Sequence, residues 1–414
     1  MIFTREGKEL WSPLNKISFR FIFTYCSIYM FSVFAPAIWS PIIQWIGSDI
    51  IQLKYTFSSV GNGSGDTTYQ YILVLFILSI SVITTIIWSI LDRKRPSYNA
   101  LFYWLRLGIR IFLIFFMLSY GFAKVFKSQF PYPHLTRLLQ PVGDMSPMGL
   151  AWTFMGYSNL YNIFTGLAEV IGGVLLISKR TKTLGAFITI GVMLNVFIMN
   201  LSYDIPVKLF SFHFIVFASI IFLTDIKRFI YIFIKNKTAP KVKHYRPFYL
   251  DKDDKKIVNG IKVIFLIAFI GLFTLFSSRR RFQKEKPLLY GIWEVALFIK
   301  NDDTLPPLTT NHDRWRYLII DFKDRVTVKT MDDSNKHYKF SIDTLTRQIR
   351  MHEKEEELLD SFNFKYQKPN PYFLEFDGKI EDDTLHILFS KKDLNDFRLN
   401  HRGFNWINEY PYNR

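Results

Sequence analysis

Between Asn200 and His213 the chain reads Asn-Leu-Ser-Tyr-Asp-Ile-Pro-Val-Lys-Leu-Phe-Ser-Phe-His, with an apolar segment long enough to cross a bilayer on either side. Asp204, Lys208 and His213 therefore fall beside or inside a membrane, where an ionisable side chain is costly unless partnered. Other polar residues lie in the same apolar surroundings. Arg106 and Arg110 share one face of an upstream segment that ends with Tyr120 and Lys124, Glu169 stands between Gly166 and Gly173 in the next, and Asn195 lies in a third. Carboxylate and imidazole exchange protons, and a guanidinium stabilises a developing oxyanion, so these residue types suit proton transfer or the binding of a polar head group. Glu169 is expected to pair with Arg110 or His213, because an unpaired charge does not persist at that depth. Each residue also has a purely structural reading. Lys124, Lys208 and Arg106 can snorkel to an interface. Glu169 with Arg110 can fix helix register, and Tyr120, Tyr157, Tyr161 and Tyr203 can form an aromatic belt.

These residues are positioned by apolar segments. Seven approach the roughly 20 residues that cross a bilayer: 17–39, 71–91, 101–125, 160–178, 183–201, 207–224 and 260–277. With a cytoplasmic N-terminus, the inner loops carry 21 Lys and Arg from Arg5 to Lys262, against 5 in the outer loops (Lys54, Lys124, Lys127, Arg137 and Lys208). That asymmetry sets the orientation and places the C-terminal region outside. Arg279, Arg280, Arg281, Lys284 and Lys286 follow the seventh span against this trend. Long domains are nevertheless translocated largely regardless of charge. The polar residues then concentrate from mid-membrane outward, which predicts a cavity open to the exported side.

The net charge of +17 is as uneven as the hydrophobicity. Residues 279–414 hold 24 basic and 23 acidic side chains, leaving 28 against 12 for the first 278. A basic excess confined to loops between spans is what topology requires, so nucleic acid is not a partner and the lipid bilayer is. Cys26 is the single cysteine, which removes intramolecular disulfides, redox Cys pairs and Cys-based metal clusters. No metal site is predicted, and one His in the spans is too few for a six-coordinate haem. Gly61 to Asp66 reads as a linker.

After Phe282 the periodicity changes to two. Ile292–Ile299, 316–322, 325–331, 337–342, 348–352, 362–366, 372–376 and 385–389 read as eight strands, with turns at Lys323-Asp324, Asp333-Ser334-Asn335, Lys368-Pro369-Asn370 and Asp377-Gly378. Eight hairpin-connected strands suggest a closed barrel, since closure removes exposed edges. Gly291-x-Trp293 at its start and Arg398 to Arg402 at its end resemble the calycin (lipocalin-like) arrangement, in which a first-strand Trp packs beneath a late Arg. The interior is expected to be filled by Trp293, Phe322, Phe376 and Phe389, or else to hold a ligand.

Arg106-Leu-Gly-Ile-Arg110, Tyr120-Gly-Phe-Ala-Lys124, Gly166-Leu-Ala-Glu169-Val-Ile-Gly-Gly173 and Arg180-Thr-Lys-Thr-Leu-Gly185 carry a resemblance to the DoxX family over residues 104–224. The loop from Leu138 to Tyr157 resembles the long outer loop of Bacteroidetes-type members. The resemblance implies a bacterial inner-membrane protein, and the family's namesake subunits are linked to thiosulfate:quinone oxidoreduction and membrane redox complexes. The fold expected is an α-helical polytopic membrane bundle of about seven spans with a C-terminal antiparallel β-domain. It divides as 1–100 (two helices and an outer loop), 101–225 (the four-helix DoxX-like unit), 226–278 (a basic cytoplasmic loop and the seventh helix) and 279–414 (an exported, periplasmic β-domain). Two functions follow. In the first, Glu169, Arg110, His213, Asn195, Asp204, Lys208, Tyr120 and Lys124 surround a quinone head group in a redox-associated subunit whose partner supplies electrons. In the second, non-enzymatic reading, the β-domain of an envelope-assembly or binding protein holds a lipophilic ligand or a protein partner.

Overall fold

The computed structural model describes residues 11–54, 63–240, 252–282, 286–353, 361–380 and 383–413. Arg5, Lys8 and Lys284 of the charge argument lie outside them. The chain divides into two compact units, Met1–Pro131 with Ser146–Ser277, and Tyr132–Met145 with Ser278–Arg414.

The first unit is helical. In chain order its helices are α1 (Pro13–Phe34), α2 (Pro36–Trp45), α3 (Thr68–Leu91) and α4 (Asn99–Val125); α5 (Leu135–Leu138) lies in the second unit; then follow α6 (Pro147–Tyr157), α7 (Asn159–Ile177), α8 (Lys182–Ser202), α9 (Lys208–Leu223), α10 (Ile226–Phe229) and α11 (Lys252–Phe282). Hydroxyl caps start several of them. Ser12, Thr67, Ser146 and Ser158 each accept a backbone N–H three residues on, and Pro13 and Pro147 occupy the first helical position, where no N–H is needed.

The expected first span, 17–39, is interrupted. Helix α1 stops at Phe34 because Pro36 lacks an N–H and biases Ala35 out of the helical region, to φ −130° and ψ 57°. Among the described residues five helices (α1, α3, α4, α7 and α8) are long and apolar enough to cross a membrane. A sixth span is formed if α9 is joined to Ile226–Ile234, across a break bent by 73°. The seventh expected segment is the 14-residue apolar stretch Val263–Phe276 within the longer α11.

Helices α4, α7, α8 and α9 form the four-helix group, with α4 against α7, α7 against α8, α8 against α9 and α9 back on α4, while α1 packs on α3 and α4. The crossing of α4 with α7 is backbone on backbone. A Cβ on Gly121 would lie 2.8 Å from the Gly166 carbonyl oxygen, and one on Gly166 would lie 2.7 Å from that of Gly121. Only glycine permits this approach, which substitutes close packing for the hydrophobic drive that lipid does not supply. On the other side of α4, Phe269 of α11 meets both Phe115 and Phe122, and Phe273 meets Phe122.

The second unit is a closed barrel. Its strands are β1 (Gly291–Lys300), the two-residue β2 (Asp303–Thr304), β3 (Trp315–Ile320), β4 (Arg325–Thr330), β5 (Asn335–Asp343), β6 (Gln348–Glu353), β7 (Ser361–Asn370), β8 (Phe373–Ile380) and β9 (Asp383–Lys392), followed by α12 (Arg398–His401). Eight strands pair antiparallel in sequence order, β1 closes on β9, and β2 is a flap on β1. All eight expected strands are present. Two expected turns are not. Asp377-Gly378 lies inside β8, where a Cβ on Gly378 would come within 2.3 Å of the Asn363 carbonyl oxygen; the glycine admits a neighbouring strand. Lys368-Pro369-Asn370 ends β7 at a register irregularity, and the turn follows it, with Asn370 accepting the N–H of Tyr372 and of Phe373.

The barrel interior is filled. Phe364, Phe376 and Phe389 pack ring on ring at 5.4 and 5.1 Å, Trp315 meets Phe364 at 6.1 Å, and Trp293 has no exposed surface. Phe322 is not among the filling residues; it lies beside Arg325 and His134 instead. The cation over Trp293 is Lys391, at 5.4 Å, in place of the expected late Arg. The β1–β9 register sets Lys391 directly opposite Trp293, whereas Arg402 lies over Tyr412. Leu135, from the segment between α4 and α6, is buried against Ile292, Tyr317 and Ile319, and its N–H donates to Asp321 at 3.0 Å.

Candidate functional site

Glu169 is 2% exposed, and its Oε1 accepts a 2.6 Å charge-assisted bond from Lys124 Nζ, itself 5% exposed. This corrects the expected pairing of Glu169 with Arg110 or His213, and Lys124 does not snorkel. The reason is the glycine crossing. Contact between Gly121 and Gly166 brings Lys124, one turn beyond Gly121, over the α7 face that also carries Glu169. Asn162, one turn before Gly166 on that face, is fully buried and donates from Nδ2 to the Phe130 carbonyl at 3.0 Å.

Arg110 lies elsewhere. Its Nε and Nη2 donate to the Leu176 carbonyl at 3.1 and 2.6 Å, and Nη2 also reaches that of Ile177. These are terminal carbonyls of α7, which lack intrahelical partners and carry the negative end of the dipole. Arg110 is a cap on that helix.

His213 joins a third group. Its Nδ1 is 2.6 Å from the Leu209 carbonyl and its Nε2 is 2.6 Å from the Tyr25 hydroxyl. A carbonyl only accepts, so Nδ1 carries a proton, and with a neutral ring Nε2 accepts from the Tyr25 hydroxyl. Tyr29 stacks on the ring at 3.7 Å. Asp204 and Lys208 form an exposed pair at 2.8 Å. Asn195 is exposed on α8, and Tyr120 is half-exposed beside Phe116 and Phe210. The eight candidate residues therefore fall into separate clusters, and Lys124 with Glu169 is the buried charged one.

Three charged residues gain structural roles that sequence reasoning missed. Arg20 is buried, donating to the Tyr98 hydroxyl at 2.7 Å, Ser89 at 2.8 Å and the Asp92 carbonyl at 2.9 Å. Burial pushes the Asp92 carboxyl up, but hydrogen bonds from Tyr98 and Trp88 and the charges of Arg95 and Arg20 together hold it below its usual value. Asp225, directly after α9, holds Lys182 at 2.7 Å and Thr183 at 2.6 Å. Asp66, read above as the end of a linker, accepts the N–H of Lys208 at 2.7 Å and of Leu209 at 2.9 Å, and so caps α9. The signal for Arg20 was available: a Ser-Pro start at residue 12 puts it two turns inside a helix.

The DoxX family model matches residues 105–200, from the Arg106 turn of α4 to the end of α8. The uncharacterized protein YwoB of Bacillus subtilis (strain 168) is 36% identical over 124 residues, covering 30% of this chain and 79% of the relative. The chain belongs to the DoxX family. No solved structure matches it. Within the DoxX segment lie Lys124, Glu169, Arg110 and the glycine crossing. The cluster of His213 with Tyr25 combines a residue beyond the matched segment with one from the N-terminal helices.

Proposed function

We propose that this DoxX-family membrane protein is a non-enzymatic platform that presents its β-barrel on the exported face of a bacterial inner membrane, where the barrel's outer surface recognises a partner. The supporting observation is that Tyr132–Met145, between α4 and α6, belongs to the barrel unit. The excess of basic residues in the loops read as inner supports an orientation in which the residues after α11 are exported.

Among the described residues aromatic side chains pack the barrel interior, so this reading puts recognition on the exterior. A groove of about 460 Å³ lies there, lined by His134, Arg137 and Asp144 of the inserted segment and by Lys329, Asp333 and His337 of the β4–β5 hairpin. It is polar, with hydrogen-bonding groups converging from two directions, as in recognition sites. The test is a photoreactive residue at Thr136, in the groove, against one at Leu345, on an exposed turn. A discrete adduct in cells from the first position alone supports the reading, and equal or absent adducts reject it.

A quinone-linked role is the second reading, and it rests on the Lys124–Glu169 pair, since Arg110 and His213 are engaged elsewhere. Quinone in lipid extracts of the purified protein, lost in Glu169→Gln, would favour it over the first.

A further inference from the structure

We infer that the Lys124–Glu169 pair is hydrated, and that Asn162 and Thr189, at the same α7 face, hold bound water as well. The argument is an inventory of buried polar atoms. Among the described residues, Asn162 Oδ1, Glu169 Oε2 and Thr189 Oγ1 are all buried without a hydrogen-bond partner. Their residues are at most 2% exposed. Buried oxygens in this condition are rare, and water is their usual partner.

The three lie in line. Positions 162, 166 and 169 share a helix face, and Thr189 Oγ1 sits 3.0 Å from where a Cβ on Gly172 would be, one turn further along α7. Donors are present as well. An ammonium has three N–H groups, and among the described residues Lys124 makes one side-chain hydrogen bond, to Glu169 Oε1. A water beside it can accept from Lys124 and donate to Glu169 Oε2, and another can donate to Asn162 Oδ1. The two waters are separate, because at Gly166 the α4 backbone closes on α7. Asn162 lies in the first turn of α7 and is tied to the connection after α4 through Phe130.

Radiolytic hydroxyl-radical footprinting of the full-length protein in lipid nanodiscs tests this, because radicals formed from bound water oxidise the side chains beside it. Met117 reports on the site, its Cε lying 3.5 Å from the Gly172 Cβ position, where Thr189 Oγ1 also sits. Met351, inside the barrel core, is the dry control. Both are nearly unexposed, at 1% and 0%. Oxidation of Met117 with Met351 intact, and its loss in Asn162→Leu/Thr189→Val, is expected. If Met117 is as inert as Met351 in the unaltered chain, the inference is overturned, and that comparison needs no variant to fold.

Discussion

His213 lies flat on Tyr29, with ring centroids 3.7 Å apart and planes within 7°, while its Nε2 faces the Tyr25 hydroxyl at 2.6 Å. One imidazole thus joins α9 to two turns of α1. His213→Phe keeps the stack and strands the Tyr25 hydroxyl, a loss of about 1–3 kcal/mol. Adding Tyr25→Phe removes the stranded group and should restore most of it. Thermal unfolding of the two single variants and the double variant in detergent reads the coupling, and additive losses would show that the hydrogen bond is immaterial.

The Lys124–Glu169 pair should be asymmetric to mutation. Lys124→Met leaves a buried carboxylate alone, and breaking a buried pair in this way costs about 3–5 kcal/mol. Lys124→Met combined with Glu169→Leu should be far milder. The melting temperatures of the two variants check the order, and a double variant as unstable as the single one contradicts it.

Gly121→Val should force α4 and α7 apart, because a Cβ at that position meets Gly166 and Val170 backbone atoms at 2.8 and 2.9 Å. Overpacking of this kind costs about 1–3 kcal/mol. Gly143→Ala, in open space, should cost nothing measurable. Equal melting temperatures for the two variants would remove the crossing as the organiser of the site.

The barrel seam should weaken at both extremes of pH. Lys300 Nζ bonds Asp383 at 2.7 Å where β1 meets β9. Hydrogen bonding to Asp383 raises the Lys300 ammonium, and hydrogen bonding to Lys300 lowers the Asp383 carboxyl. A lowered carboxyl stabilises the fold above its unfolded value of about 4 and loses that contribution as pH falls through the folded value. A raised ammonium stabilises below its unfolded value of about 10.4 and loses that contribution as pH rises through the folded value. Asp383→Asn should flatten the acid limb of a melting-temperature profile, and an unchanged limb counts against the pair.

The barrel was the most legible part of the sequence, since a period of two with one face inward leaves each strand little choice of register. Asp377-Gly378 misled because the same dipeptide serves a turn or a close strand approach, and only the neighbouring backbone decides. In the membrane unit, Glu169 stood out as a charge in an apolar run. Its partner did not, because periodicity gives the face of a helix but not the depth at which another helix crosses it. Lys124 looked like an interfacial lysine until the Gly121–Gly166 contact set that depth. Arg20 and Asp66 passed as loop residues, and Asp225 did not stand out, for the same reason: their partners lie on other segments.

Leu135 is held by residues of β1 and β3 that are synthesised only after α6 to α11. The barrel domain is therefore one body encoded in two separated pieces, an insertion inside the DoxX segment and an extension after it. A gene fragment beginning at Ser278 encodes a barrel with an apolar scar over Ile292, Tyr317 and Ile319. Recombination that moves the extension into another DoxX scaffold without the insertion delivers that scar, so the two pieces must be inherited together.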